Sequence, residues 1–367
     1  MLDQRCEKLA ELIVVYSLDV KPGQRVLISA NTEAKPLVLA LQKQILLAKA
    51  SPFFVMQFPE MEEQKYRYAS DEVLGTMQPI EEFAMNQADA FILIQSDRNA
   101  SSNSGVPAER MGLGLKSMMS VRNIMVKRAY EGKLKWTAVF FPTSGYAQQA
   151  GMSTLDFEDM VFEACMPDPT DPIGYWKGLE ARQDRMIESL MGADKVQILA
   201  EETDLTFSIK GRKFINACCK NNVPDGEIYT APIEDSVSGR IFFPDAVSYR
   251  GTEVKGVRLW FENGQVIKAT AEKNEEFLLK MLEIDPVARS IGEFAFGTND
   301  GIHRMIGQIL LDEKIGGTVH IALGNGYPDT GSKNRSLLHW DFILDVRRGG
   351  KVLVDGRVVL ENGKYTI

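Results

Sequence analysis

The sequence predicts an α/β protein of two domains: an N-terminal α/β domain built on a parallel sheet and a C-terminal α+β domain rich in antiparallel strands. Three observations support this prediction. The chain has 367 residues, which is long for one hydrophobic core. Apolar strands alternate with helical patterns in the first half, whereas shorter strands and tight turns dominate the second. Proline-rich segment 168–172 separates the two patterns, so we expect domains at residues 1–172 and 173–367.

The first half alternates helical and strand patterns. Apolar residues from Leu2 to Tyr16 recur at helical spacing, and a second helix is expected over 33–49. Four short apolar runs predict strands, at 25–29, 53–58, 90–94 and 136–141. Apolar strands separated by helices are typical of a parallel sheet that is covered on both faces.

The only glycine-rich candidate for a phosphate loop is the stretch 112–117, GLGLKS. It has neither the GxGxxG nor the GxxxxGK[ST] spacing, and no strand directly precedes it. We therefore interpret it as a loop or the start of a helix. A nucleotide-dependent enzyme is the weakest functional alternative.

The second half is punctuated by turn signals. A helix is expected over 172–190. Asn263-Gly264 then separates two strand patterns, 257–261 and 266–269, and so predicts a hairpin. Further glycine-containing turns at 349–350, 355–356 and 362–363 favour an antiparallel arrangement.

Composition excludes several functional classes. The net charge is −8 and no basic stripe is present, which argues against nucleic-acid binding. No apolar run approaches the ~20 residues that span a bilayer, so we expect no membrane partner. The four cysteines have no CxxC spacing, and the N-terminus lacks the pattern of a signal peptide. We therefore expect a cytoplasmic protein.

Two of the three histidines lie close together in the sequence, at His320 and His339. His339 forms a His-x-Asp pair with Asp341, and in a strand such residues project from the same face. An imidazole beside a carboxylate suits a divalent metal that takes nitrogen and oxygen ligands. The third histidine, His303, is interpreted as a surface or capping residue.

Three glutamates of the second half stand out by context. Glu293 lies within an apolar, glycine-flanked strand pattern, where an isolated charge would be costly. Glu227 follows a turn, although glutamate is not a favoured turn residue. Glu313 follows a helical apolar stretch, and a surface charge beside Lys314 is an equally good interpretation of it.

Counting charges links these residues. If Glu227, Glu293, Glu313 and Asp341 converge, four negative charges repel one another in a pocket of low dielectric constant. Two divalent cations remove that repulsion, and His320 and His339 add neutral nitrogen ligands. Six such ligands, with one bridging carboxylate, fit a hydrolytic centre whose metals are ~3.5–4 Å apart.

These motifs resemble the thermophilic-type metallo-aminopeptidases, the family of aminopeptidase T and aminopeptidase S. The resemblance extends from about residue 204 to 345 and rests on a shared order of motifs. They are a Glu, then Gly-Glu, Asp-Glu, His-x-Ala-x-Gly-x-x-Tyr and His-x-Asp.

The resemblance implies a role for each matching residue. It makes Tyr327 a catalytic hydroxyl, and the metal ligands Glu227, Glu293, Glu313, His320, His339 and Asp341. Apart from the resemblance, the proton carrier is expected among Glu227, Glu293 and Glu313, and Glu293 is the one assigned to catalysis. The expected cofactor is two divalent ions per chain, of zinc, cobalt, manganese or magnesium. The resemblance further implies a homodimer with an enclosed cavity, and short peptides as substrates that lose their N-terminal residues.

Three departures from the family pattern mark a divergent branch. Gly226 stands where the family has a second glutamate before Glu227. Lys314 replaces the asparagine that follows Asp-Glu in the family, and a glycine-rich insert separates it from His320. The segment between Tyr327 and His339 is short. Two alternatives therefore stay open: a two-metal hydrolase of another amide or ester, and a non-catalytic binding protein.

Overall fold

The computed structural model describes residues 3–99, 102–103, 105–249 and 251–367. Leu2, the first residue of the predicted N-terminal helix, lies outside them. The chain forms two compact units. The first unit comprises Met1–Tyr175 and Cys219–Pro224, and the second comprises Trp176–Cys218 and Asp225–Ile367. The division into domains 1–172 and 173–367 stays a prediction.

Strands outnumber helices in the second unit, and in the first they form the central sheet. In chain order they are β1 (Arg25–Asn31), β2 (Ser51–Gln57), β3 (Ala90–Gln95), β4 (Lys135–Phe140), β5 (Lys195–Ala200), β6 (Thr203–Ser208), β7 (Ile215–Ala217), β8 (Asn222–Val223), β9 (Glu227–Thr230), β10 (Ser238–Phe243), β11 (Val247–Tyr249), β12 (Thr252–Val254), β13 (Val257–Glu262), β14 (Gln265–Thr270), β15 (Ile291–Gly297), β16 (Val319–Gly324), β17 (His339–Leu344), β18 (Lys351–Val354), β19 (Arg357–Glu361) and β20 (Lys364–Tyr365).

Helices concentrate in the first unit. In chain order they are α1 (Gln4–Glu11), α2 (Lys35–Leu47), α3 (Glu60–Tyr68), α4 (Asp71–Leu74), α5 (Pro79–Gln87), α6 (Ala108–Tyr130), α7 (Ser144–Gln149), α8 (Thr154–Cys165), α9 (Pro172–Ser189), α10 (Glu275–Met281) and α11 (Ile309–Asp312). A π-helical turn, Leu12–Ser17, continues α1, and 3-10 turns lie at Thr32–Ala34, Pro328–Thr330 and Val346–Arg348. Among the described residues, every helix is too short or too polar to cross a bilayer.

The first unit contains a five-stranded sheet in the order β2-β1-β3-β4-β8, and all of its strand pairs are parallel. The four strands predicted for this half are confirmed as β1 to β4, and the helix predicted over 33–49 as α2 with a preceding 3-10 turn. Of the two interpretations of 112–117, a loop is wrong and the start of a helix is nearer, because the stretch lies inside α6 and begins four residues after its first residue. Gly114 is needed there because a Cβ atom would collide with the ring of Tyr66.

The second unit is antiparallel. Its eight-stranded sheet has the order β14-β13-β10-β6-β5-β18-β19-β20, and its five-stranded sheet has the order β17-β16-β15-β9-β7. The predicted 263–264 hairpin joins β13 and β14, and both turn residues have positive φ, as a type I′ turn requires. The predicted fold class, a parallel α/β part with an antiparallel-rich C-terminal part, is confirmed.

The five-stranded sheet of the second unit has two unlike faces. One face packs into the hydrophobic core of this unit through Phe294, Phe296, Ile321, Leu323, Trp340 and Phe342. Strand alternation places the residues between them on the opposite face. That opposite face carries the acidic residues and the histidines, and we call it the polar face.

Candidate metal centre

Strand register brings the predicted ligands together on the polar face. Glu293 in β15 lies opposite Ala322 in β16, and Ala322 in turn lies opposite Asp341 in β17. Glu227 opens β9 opposite Gly297, and His320 lies opposite Ala295. Three neighbouring strand pairs therefore converge on one patch, although the residues come from segments far apart in sequence.

Small residues alternate with the ligands on this face: Ala295, Gly297, Ala322 and Gly324. Each of them lies directly opposite a ligand on a neighbouring strand, so no large side chain fills the space between carboxylates and imidazoles. The His-x-Ala-x-Gly part of the sequence pattern is thereby explained. Its small residues leave room on the polar face while Ile321 and Leu323 enter the core.

A β-bulge turns Glu293 towards the site. In a regular strand Ile291 and Glu293, two residues apart, would share a face. The register with β16 shifts between them, so that Ile291 enters the core while Glu293 joins the polar face. Gly292 permits this bulge because a Cβ atom there would collide with the backbone oxygens of Gly324 and Asn325.

Glu313 comes from outside the sheet, directly after the short helix α11. The preceding residue, Asp312, is buried and accepts backbone hydrogen bonds from Ile306 (2.9 Å) and Gly307 (2.8 Å). These bonds connect the loop before α11 to the last residue of that helix. Asp312 therefore positions Glu313, which explains why the two acidic residues are adjacent.

The six predicted ligands form three overlapping groups whose ligand atoms lie within 4.8 Å of one another. The groups are Glu227, Glu293 and His320; Glu293, His339 and Asp341; and Glu313, His320 and Asp341. Every predicted ligand is thus brought into one cluster.

Glu293 lies between the two histidines. Its Oε1 is 3.7 Å from His320 Nε2, and its Oε2 is 3.7 Å from His339 Nε2. His320 Nε2 is also 3.3 Å from Glu227 Oε2, and His339 Nε2 is 3.5 Å from Asp341 Oδ2. Because Glu293 offers one oxygen to each side, it has the arrangement expected of a bridging carboxylate.

A backbone contact orients His339. Its Nδ1 lies 2.9 Å from the carbonyl oxygen of Asn325, which can accept a hydrogen bond from the ring. In the neutral tautomer that donates from Nδ1, the lone pair lies on Nε2, which faces the cluster. Backbone carbonyls commonly fix metal-binding histidines in this way.

Burial and mutual charge perturb the cluster strongly. Burial raises the pKa of Glu227 to about 8, although Lys314 and His320 oppose the rise. It likewise raises the pKa of Asp341 to about 6, against the effect of His339. Burial alone would lower the pKa of His320, but the nearby carboxylates, Glu293 first among them, raise it to about 9. Without further cations, Glu227 and His320 therefore hold protons at neutral pH.

Sequence reasoning missed two charged members of the cluster, Lys314 and Asp225. Lys314 is only 1% exposed, and its Nζ lies 2.8 Å from Glu313 Oε1 and 3.7 Å from Asp225 Oδ1. It also contacts Glu227 Oε1. These carboxylates outweigh burial and hold the pKa of Lys314 well above its usual value. The interpretation of Glu313 and Lys314 as a surface charge pair is therefore wrong.

The number of acidic residues near Glu227 also differs from the expectation that one is missing at Gly226. Gly226 has a φ of 118°, and a Cβ atom there would lie 2.9 Å from Cβ of Asn299, so a glutamate does not fit. Asp225, one residue earlier, is buried beside Lys314 instead. The cluster thus holds five carboxylates and one lysine.

Tyr327 lies at the edge of the cluster, directly before the 3-10 turn, and is 41% exposed. Its ring centroid is 5.6 Å from that of His339 and 5.3 Å from that of Tyr229. Tyr229, which sequence reasoning missed, lies opposite Ala295 on the polar face. His303 lies on the exposed surface, as expected.

The residues present fit divalent metal ions. Glu227 Oε2 and Asp341 Oδ1 are buried and have no hydrogen-bond partner among the described residues. Buried polar atoms are rarely left so. Carboxylate oxygens with two imidazole nitrogens suit zinc, cobalt, manganese or magnesium. The first two groups, which share Glu293, could each hold one ion.

Comparison with known proteins connects this cluster to a family. Residues 2–365 match the family model described as thermophilic metalloprotease (M29). Aminopeptidase T of Thermus thermophilus is 27% identical over 92% of this chain and 91% of its own. Aminopeptidase 2 of Geobacillus stearothermophilus is 25% identical over 93% and 92%, and aminopeptidase AmpS of Bacillus subtilis 26% over 99% and 98%.

Solved structures show the same fold. Wild-type AmpT from Thermus thermophilus superposes with a TM-score of 0.87 at 24% identity, over the whole of both chains. A 2,5-dihydroxypyridine dioxygenase from Pseudomonas putida KT2440 has a TM-score of 0.59 at 13% identity, over 100% of this chain and 98% of its own. Since an enzyme of another class shares the fold, the site rather than the fold must identify the chemistry.

Proposed function

This chain belongs to the thermophilic metalloprotease family (M29), and from that premise we propose that it is an aminopeptidase that removes single residues from the N-termini of short peptides. The relatives named as aminopeptidases support this activity. The observation that carries it is Glu293, which presents one carboxylate oxygen to each of two ligand groups.

We assign two divalent ions to the cluster. Glu227, Glu293 and His320 would hold one, and Glu293, His339 and Asp341 the other, with Glu313 close to both. When bound, such ions lower the pKa of water towards neutrality and polarise the carbonyl of the scissile bond. The ions would also supply the positive charge that the buried carboxylates lack.

The chain itself would supply hydrogen bonding and proton transfer. The Tyr327 hydroxyl would donate a hydrogen bond to the oxyanion that develops on the peptide carbonyl. Its position beside His339, at the exposed edge of the cluster, supports this role. Among the described residues, no further histidine joins the cluster, so a carboxylate must carry the proton. Glu293 is our candidate because it faces both groups.

Peptide release provides the direct test. Chelator-treated protein is resupplied separately with zinc, cobalt, manganese or magnesium and incubated with a panel of short peptides. We expect release of single N-terminal residues that depends on the metal. The same peptides with an acetylated α-amine are the control and should stay intact. Longer and folded substrates should be cut more slowly if the cavity is enclosed.

Other outcomes separate the alternatives. Turnover of amides or esters without a free amine would indicate a hydrolase of another specificity. Metal binding without turnover of any substrate would indicate a binding protein. We also infer a homodimer in the cytoplasm from the family resemblance, and light scattering coupled to size-exclusion chromatography tests the dimer.

A further inference from the structure

We propose that Lys314 is a built-in counter-ion that holds the carboxylates of Asp225, Glu227 and Glu313 in place before metal binds. This inference rests on the proposed metal centre, but it concerns the metal-free protein and needs no turnover. Lys314 would be a positioning residue, since its burial keeps it from touching a peptide.

The contacts of Lys314 support this role. The ammonium group has three hydrogen-bond donors, and three carboxylates surround it. Its Nζ donates a hydrogen bond to Oε1 of Glu227 and forms an ion pair with Oε1 of Glu313. The second oxygen of Glu227, Oε2, faces His320 instead. Lys314 therefore occupies one oxygen of Glu227 and leaves the other for the metal group.

Charge supports the same conclusion. When all five carboxylates are ionised, as metal binding requires, they give a charge of −5, and Lys314 reduces it to −4, which two divalent ions neutralise. The charges of Asp225 and Lys314 cancel, so this pair leaves the total charge of the four acidic residues predicted as ligands unchanged. If Lys314 were apolar, the three buried carboxylates that face it would lose their paired cation, and removing one partner of a buried ion pair is strongly destabilising.

The proposal is tested by thermal unfolding of the variant Lys314→Met in the presence of chelator. Methionine has a side chain of similar length to lysine but carries no charge. We expect the melting temperature of the metal-free variant to fall by about 10 °C relative to wild type. Adding manganese chloride, and in a separate titration zinc chloride, should stabilise the variant more than it stabilises wild type. Lys333→Met, on an exposed lysine of the same unit, is the matched control and should change neither value.

Two further variants keep the test decisive if Lys314→Met does not fold. Asp225→Asn combined with Lys314→Met removes the opposite charges together, so it should melt higher than Lys314→Met alone. Lys314→Arg keeps the charge and should lose less stability than Lys314→Met. The proposal is overturned if Lys314→Met melts like wild type in chelator, or if the double variant is no more stable than the single one.

The readouts separate this inference from the proposed function. Melting temperature and metal-induced stabilisation do not require any peptide to be cleaved. An absence of peptidase activity in wild type would therefore refute the aminopeptidase proposal and leave the Lys314 result to be judged on its own.

Discussion

Glu293 shows how one residue can define a site. Its two oxygens face different histidines, and each is 3.7 Å from an imidazole nitrogen. Such a carboxylate would carry negative charge to both ion positions at once. Removing its charge should therefore affect both ions, whereas changing His339 or Glu227 should affect chiefly one.

The substitution Glu293→Gln tests this position. We expect metal affinity to fall by at least about 10–100-fold, the range found for weaker outer-shell changes, and activity to fall with it. Metal content measured by elemental analysis and peptide turnover provide the readouts. The exposed glutamate Glu283 offers a matched control, because Glu283→Gln should retain both. Wild-type metal content in Glu293→Gln would refute the bridging role.

Tyr327 can be tested apart from the metals. Tyr327→Phe removes only the hydroxyl, so the ring contacts with His339 and Tyr229 should persist. We expect kcat to fall by about 100–1,000-fold, as for loss of an oxyanion-hole donor. Bound metal should be unchanged. If kcat keeps its wild-type value, Tyr327 serves packing alone.

At the scale of the strand, the space between ligands depends on small residues. Ala322 lies opposite both Glu293 and Asp341 and is fully buried. A larger side chain there would project between these carboxylates. The adjacent Ile321 points into the core, so the two faces of β16 can be perturbed separately.

The variant Ala322→Leu should lose bound metal while remaining folded. The cost in stability should be about 1–3 kcal/mol, as is usual when a packed site is overfilled. Ile321→Val provides the comparison, since it should cost about 0.5–1.5 kcal/mol and keep its metal. Elemental analysis together with urea unfolding distinguishes the two. Equal metal loss in both variants would mean that stability, not the polar face, controls binding.

The turn before β9 yields a second prediction at this scale. Gly226→Ala should destabilise the protein by about 1–3 kcal/mol, because φ is 118° and the new Cβ would crowd Asn299. At Gly211, φ is also positive (72°), but a Cβ atom meets nothing within 4 Å. Gly211→Ala therefore measures an alanine at positive φ without a steric collision. The urea midpoint of Gly226→Ala should be lower than that of Gly211→Ala. Similar midpoints would mean that the collision with Asn299 does not contribute.

Sequence reasoning predicted the elements whose signals are local. Apolar runs gave β1 to β4, and Asn263-Gly264 gave the hairpin, because each depends on a few neighbouring residues. Six candidate ligands were proposed from residue type and order, and the structure brings them together, but their role as ligands stays a prediction. The bulge at Gly292 was not foreseen, because pairing between β15 and β16 decides which face Glu293 joins. Lys314 was misjudged, since its burial depends on carboxylates from three separate segments.

At the scale of the whole molecule, the candidate centre lies within a single unit. All six predicted ligands, Tyr327 and Lys314 belong to the second unit, whereas the parallel sheet belongs to the first. A metal that binds only the folded second unit would stabilise it by mass action. The first unit contributes no residue to these ligand groups.

Chelation should therefore loosen the two units unequally. Metal at 100 times its Kd stabilises the folded state by about 2.7 kcal/mol, so its removal should accelerate exchange of the most protected amides about 100-fold. Hydrogen–deuterium exchange with mass spectrometry should show this in β9, β15, β16 and β17, with β1 to β4 unchanged. Glu293→Gln, which should bind metal more weakly, serves as the control and should respond less to chelator. If exchange in β1 to β4 accelerates as much as in β9, β15, β16 and β17, the two units unfold together. Loss of the metal would then destabilise the first unit, which holds none of the predicted ligands.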